Sequence, residues 1–143
     1  MLRTVLAISA LGLCSGVAAQ ITTYAGVKAN GGVQLSGAEL NDLMPGAKVA
    51  SRTQQGSTRT WENKPNGTLN ASTDGRGFAG GRNNYASAEG TWKVNESGRW
   101  CVNIKWPAAA DDWCRIMFKV GNKYYGVSRL EDTALTMEFE ISK

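Results

Sequence analysis

The chain has 143 residues, of which 42% are hydrophobic and 20% charged, and its formal net charge of +4 is spread without charged blocks. This length suits one domain with its own core, and such mild basicity favours anionic surfaces only slightly. Histidine is absent, which excludes the usual catalytic triads and histidine metal sites. We therefore expect no cofactor, no bound metal and no nucleic-acid partner.

Residues 1–19 have the pattern of a cleaved signal peptide. Arg3 supplies the early positive charge, an apolar stretch follows, and small residues precede Gln20. Serine and glycine interrupt the apolar stretch, which is too short for a membrane-spanning helix. A lipoprotein signal is disfavoured because Leu13, before Cys14, is large. The sequence thus predicts export to the periplasm or beyond, no membrane span after cleavage, and a mature β domain over residues 20–143.

Export leaves two cysteines, Cys101 and Cys114, in an oxidising compartment. We expect them to form a disulfide, which would stabilise the fold by about 3 kcal/mol in the chain-entropy description of loop closure.

A short helix is predicted over residues 37–44. Ser36 and Glu39 have the spacing of a capping box, in which each side chain bonds to the backbone amide of the other. Pro45 and Gly46 follow as a stop signal. The preceding residues 21–35 form only a weak lead-in.

From residue 47 onward the apolar residues have strand spacing, with glycine-bearing turns between them. The sequence predicts one antiparallel β domain of about seven or eight strands, a small barrel or strongly curved sheet; a two-sheet sandwich is the alternative.

Residues 71–90 are rich in glycine, which indicates a long flexible loop or poorly ordered crossing. The last strand is the clearest, because one face carries Leu135, Met137, Phe139 and Ile141.

The sequence patterns around the two cysteines place them on different kinds of strand face. Trp100 and Val102 mark the apolar face of the first strand, so Cys101 lies on the other face, whereas Cys114 shares its face with Ile116. A disulfide within one regular ladder joins residues on the same face. Either a bulge intervenes or the bridge spans two layers.

Two segments contain candidate ligand or partner contacts. In the glycine-rich run, amides and two arginines are suited to clamping an anion, although such runs are more often simply mobile. Around the loop between the cysteines, exposed aromatic and acidic side chains are suited to contacting a partner. The candidates are Arg76, Arg82, Trp106, Asp111, Asp112 and Trp113.

The carboxylates give little reason to expect an enzyme. Glu138 and Glu140 lie on one face of a strand, about 7 Å apart, and paired carboxyls catalyse glycoside hydrolysis. Alternating glutamates more often mark a solvent-facing strand and discourage edge pairing. We expect no catalytic residues; a carboxylate-based hydrolase would be the exception.

Several motifs together resemble one family. They are the capping box running into Pro45 and Gly46, the hairpin that begins at Trp61, the stretches around both cysteines, and the hairpin containing Tyr124. They are similar to a family of exported proteobacterial proteins catalogued as a domain of unknown function, number nine-nine-five. The resemblance implies export, the disulfide and a β-rich fold, and it supplies no catalytic residue.

The leading functional hypothesis is a non-catalytic, periplasmic module that binds a small apolar or envelope-derived ligand, or an envelope protein. The alternative is a secreted inhibitor of a lytic enzyme such as lysozyme, inserting residues 106–113 as a loop. A ligand binder should have an apolar cavity between its strands, whereas an inhibitor should place Asp111 or Asp112 on a protruding rigid loop. The oligomeric state is left open.

Overall fold

A computed structural model describes residues 19–53, 56–74, 86–107 and 109–143. All but the last residue of the predicted signal peptide lies outside them. The helices and strands within these ranges are α1 (Tyr24–Ala29), β1 (Val33–Gln34), α2 (Gly37–Leu43), β2 (Lys48–Arg52), β3 (Thr58–Asn63), β4 (Thr68–Thr73), β5 (Ala86–Val94), β6 (Trp100–Lys105), β7 (Ala110–Val120), β8 (Lys123–Val127) and β9 (Thr136–Ser142).

Strands β2 to β9 form a closed antiparallel barrel of eight strands. Each pairs with its neighbours in sequence, and β9 returns to pair with β2, where Val49 lies opposite Ile141. The predicted mainly β fold is confirmed as the barrel, not the two-sheet sandwich. Because closure removes sheet edges, Glu138 and Glu140 do not protect an edge strand, contrary to the interpretation of their alternation.

The glycine-rich segment contains more strand than expected. The prediction of a loop over residues 71–90 is wrong at both ends, because β4 continues to Thr73 and β5 begins at Ala86; residues 75–85 lie outside the described part. Gly90 serves close packing here, since a Cβ atom on it would lie 2.1 Å from the carbonyl oxygen of Asn103 in β6.

Helix α1 was not predicted from the sequence. Thr23 caps it by accepting a hydrogen bond from the Gly26 amide, and Val27 packs with Ile116 and Tyr125 on the outside of the barrel.

This helix resolves the conflict between the cysteine strands. The apolar face that Cys114 shares with Ile116 is the outer face of β7, which is apolar because α1 covers part of it. Cys101 and Cys114 are directly opposite in the β6–β7 register, with sulfurs at the disulfide distance of 2.02 Å. Neither a bulge nor a bridge between layers is needed.

Helix α2 packs against the barrel core. The capping box is present: the Ser36 hydroxyl accepts from the Glu39 amide at 3.2 Å, and the Glu39 carboxylate accepts from the Ser36 amide at 2.7 Å. The helix ends at Leu43, one residue before the predicted end, and its Leu40 joins Met44 in the core.

Aromatic rings fill the middle of the barrel. The ring of Trp100 lies 5.2 Å from those of Trp113 and Phe139 and 6.0 Å from that of Trp61, between centroids. Such contacts dominate the packing of small β domains.

Candidate functional site: the barrel mouth

A cavity of about 560 Å³ opens at the end of the barrel that carries the β2–β3, β6–β7 and β8–β9 connections. Pockets for small ligands commonly have volumes of this order. We call it the barrel mouth and define it by Arg52, Arg59, Asp111, Trp113, Arg115, Ser128, Arg129, Leu135 and Met137.

Asp111 is bound on two sides within the mouth. Its carboxylate forms an ion pair with Arg59 and accepts a hydrogen bond from the Trp106 indole nitrogen at 2.7 Å. The Arg59 guanidinium also lies over the Trp106 ring, 5.4 Å from its centroid. Because about 80% of each charged side chain is covered, solvent screens this ion pair only weakly. The positive charge of Arg59 therefore largely compensates the negative charge of Asp111.

Arg115 is a partly buried cation in the wall of the mouth. Its Nε is buried without a hydrogen-bond partner among the described residues, and its Nη1 is 3.5 Å from the Gly126 carbonyl oxygen, at the limit for a hydrogen bond. Its guanidinium lies 5.6 Å from the centroid of the Trp113 ring, and no ion pair links it to any described residue. Burial lowers the pKa of Arg115 from its ordinary value, but an arginine stays charged in proteins.

Gly126 makes room for the Arg115 side chain. A Cβ atom on this glycine would lie 2.8 Å from Cδ of Arg115 and 3.0 Å from Cε2 of Phe139. Because Gly126 lacks a side chain, the stem of Arg115 can cross β8.

The mouth has an excess of positive charge. Among the arginines that line it, Arg59 is paired with Asp111, and Arg129 with Glu131 outside the cavity. Within the described ranges, Arg52 and Arg115 form no ion pair. Two uncompensated guanidiniums around one cavity produce a potential that attracts anions.

The structure brings three of the six predicted contact residues together. Asp111 and Trp113 line the mouth, and Trp106 is hydrogen-bonded to Asp111. Asp112 does not join them, because it alternates with Asp111 along β7 and is exposed on the outer face. The remaining two candidates, Arg76 and Arg82, lie outside the described residues.

The loop predicted over residues 106–113 is shorter than expected. Asp111 pairs with Ile104 and Asp112 with Asn103 in the β6–β7 ladder, so both aspartates belong to a strand. The protruding acidic loop that the inhibitor hypothesis requires is therefore not formed by these two residues.

Sequence reasoning missed Arg59, Arg115 and the exposed position of Leu135. Arg115 lies on the same face of β7 as Trp113 and Met117, both of which face the barrel interior. A charged residue on this inward face could have indicated the site from the sequence. Leu135 was predicted on the buried face of the last strand, but it is 57% exposed, because it precedes β9 at the mouth. An exposed leucine beside a cavity offers an apolar contact to a ligand.

Fold and site together define a class of small β-barrel with a helix against its core and a cationic cavity at one open end. The chain belongs to the family described as "Protein of unknown function (DUF995)", whose model matches residues 18–114. The match ends within β7, so β8 and β9 lie beyond it. No curated protein and no solved structure matches the chain significantly. Neither helix among the described residues has the length and apolar character needed to cross a membrane.

Proposed function

We propose that this protein is a non-catalytic, exported module of the periplasm that binds a small envelope-derived ligand in the barrel mouth. The observation that carries the proposal is the cavity of about 560 Å³, with the uncompensated Arg115 in its wall. Rigid barrels commonly hold ligands at their open ends, where connecting segments meet.

Export is supported by the disulfide. Pairs such as Cys101 and Cys114 persist in oxidising compartments and are rare in the cytosol. This is consistent with the predicted signal peptide over residues 1–19.

A non-catalytic role is supported by how the carboxylates are bound. Asp111 is paired with Arg59 and accepts a hydrogen bond from the Trp106 indole, an arrangement that fixes the carboxylate in place. Glu138, on the outside of the barrel, is paired with Lys123 and accepts from the Tyr125 hydroxyl at 3.3 Å. Both groups therefore have structural partners, which favours a structural role over acid–base chemistry.

The cavity differs from the one that the ligand-binding hypothesis anticipated. An apolar space between the strands was expected, but the Trp61, Trp100 and Phe139 rings fill the middle of the barrel. The cavity proposed here lies at the mouth instead, and its wall combines arginines with apolar groups. A purely apolar ligand would leave these guanidiniums without partners.

The proposal can be tested by native mass spectrometry of the protein from the exported fraction of its host. We expect a bound small molecule on the unmodified protein and its loss from Ser128→Trp, because Ser128 lines the mouth and is exposed. Ser97→Trp is the matched control, since Ser97 is also exposed but lies in the β5–β6 turn at the other end. An unmodified protein with an empty mouth, or equal binding by both variants, would contradict the proposal.

A further inference from the structure

We infer that the ligand of the barrel mouth is a small organic acid. Its anionic head group is bound by Arg115, and its apolar body contacts Trp113, Leu135 and Met137. This inference rests on the proposed function and specifies the chemical class of the ligand.

The first argument is the state of Arg115. A guanidinium removed from water is stabilised only if charged or polar partners replace its hydration. Arg115 has an unpartnered Nε and one long contact to the Gly126 carbonyl. An oxyanion in the cavity would give this cation charge-assisted hydrogen bonds, which are among the stronger ones in proteins.

The second argument is that Asp111 does not already serve as this anion. Asp111 and Arg115 both face inward on β7, but they are four positions apart, which is about 13 Å along a strand. The carboxylate of Asp111 is paired with Arg59 instead. Among the residues that the structure describes, the carboxylate in the cavity wall is thus paired with Arg59, and no carboxylate is paired with Arg115.

The third argument concerns the rest of the ligand. Leu135 is 57% exposed at the mouth, and Met137 is partly buried beside it. With Trp113 they form an apolar part of the same wall that carries the arginines. A ligand with an apolar body would cover this surface while its head group reaches Arg115, whereas inorganic phosphate would leave it in contact with water.

The test uses octanoate as the probe, with octanol and inorganic phosphate as comparisons, and isothermal titration calorimetry as the readout. Octanol has the apolar body without the charge, and phosphate has the charge without the body. We expect octanoate to bind at least about tenfold more tightly than octanol, because one charge-assisted hydrogen bond contributes about that factor. We also expect it to bind more tightly than phosphate, because only octanoate covers the apolar part of the wall.

Variants locate the head group. Arg115→Met keeps much of the side-chain volume and removes the charge, and we expect it to weaken octanoate binding by about tenfold or more. Lys93→Met removes an exposed cation from the outer face of β5 and should leave binding unchanged. Thermal denaturation without ligand checks the fold: Arg115→Met should be at least as stable as the parent, because it no longer buries an unpaired cation.

The contrary outcomes separate this inference from the proposed function. Equal binding of octanol and octanoate, or no effect of Arg115→Met, would contradict the inference that the ligand is an acid, but not the proposal that a ligand binds at the mouth. If phosphate bound as tightly as octanoate, the inference that the ligand has an apolar body would be wrong. A co-purified ligand that is neutral but lost from Ser128→Trp would also overturn the inference alone, whereas an empty mouth in the exported protein would overturn both proposals.

Discussion

The side chain of Arg115 in β7 crosses over Gly126 in β8, and its Nη1 lies 3.5 Å from the carbonyl oxygen of that glycine. Gly126→Ala should therefore displace Arg115 and Phe139 at once, since the new methyl group would lie 2.8 Å and 3.0 Å from their atoms. Overpacking of this kind typically costs about 1–3 kcal/mol. Urea denaturation measures the loss, and a variant as stable as the parent would show that the arginine does not need this space.

Gly90→Ala should be more damaging than Gly126→Ala. Its methyl group would lie 2.1 Å from the Asn103 carbonyl oxygen, which belongs to the backbone of the paired strand and cannot rotate away. We expect a loss of about 3 kcal/mol or more, at the upper end for overpacking, measured by urea denaturation.

Gly26→Ala provides the control for both glycine substitutions. In this case the nearest atom is a side-chain methyl carbon of Ile21 at 3.3 Å, not backbone, and alanine favours helix α1 by about 0.5–1 kcal/mol. Its stability should therefore stay close to that of the parent. If Gly90→Ala were equally mild, β5 and β6 would not approach as closely as described.

Removing the disulfide should weaken the fold. Replacing both Cys101 and Cys114 by serine frees the loop between them, which is expected to cost about 3 kcal/mol. Urea midpoints with and without reductant measure this, and reductant should lower the midpoint of the parent but not that of the double variant. A reductant effect on the double variant, or none on the parent, would contradict the structural role of the bond.

Alkaline pH should destabilise the protein through Tyr125. Burial is the main cause that raises the pKa of Tyr125 above its ordinary value of 10.0, and nearby Glu138 acts in the same direction. The folded state thus favours the neutral phenol, and this contribution is complete below pH 10 and disappears as the pH rises through the folded pKa.

Tyr125→Phe isolates this contribution. It retains the ring in the cluster with Val27 and Ile116 but removes the titrating group. The fall in the free energy of unfolding above pH 10 should be smaller in this variant, as measured by urea denaturation over a pH series. If the free energy of unfolding fell as much in the variant as in the parent, the loss of stability at alkaline pH would be due to other groups, such as Lys123, whose pKa is raised by Glu138.

The sequence predicted the barrel well where local patterns are strong and less well where burial comes from elsewhere in the chain. The capping box of Ser36 and the alternation in β9 depend on neighbouring residues, so they can be recognised directly. The outer face of β7 could not be interpreted in this way, because Ile116 is buried by α1, which is distant in sequence. Two-sided burial removes the alternation that marks a half-exposed strand.

The site was harder to predict than the fold for a related reason. Trp106, Asp111 and Trp113 are close in sequence, and their aromatic and acidic character drew attention to one loop. Arg59 joins them only through barrel closure, 52 positions away from Asp111. The geometry that pairs these two residues is a property of the complete barrel.

The pairing of β2 with β9 has a consequence for how the protein folds. Each other pair within the barrel joins strands that are consecutive in the chain, whereas Val49 near the start of the barrel pairs with Ile141 near the C-terminus. Distant segments lose the most chain entropy when they meet, so the hairpins can form early and the seam between the first and last barrel strands late. Arg52 and Met137, which both line the mouth, lie on opposite sides of this seam. The binding site is therefore not formed until the seam closes.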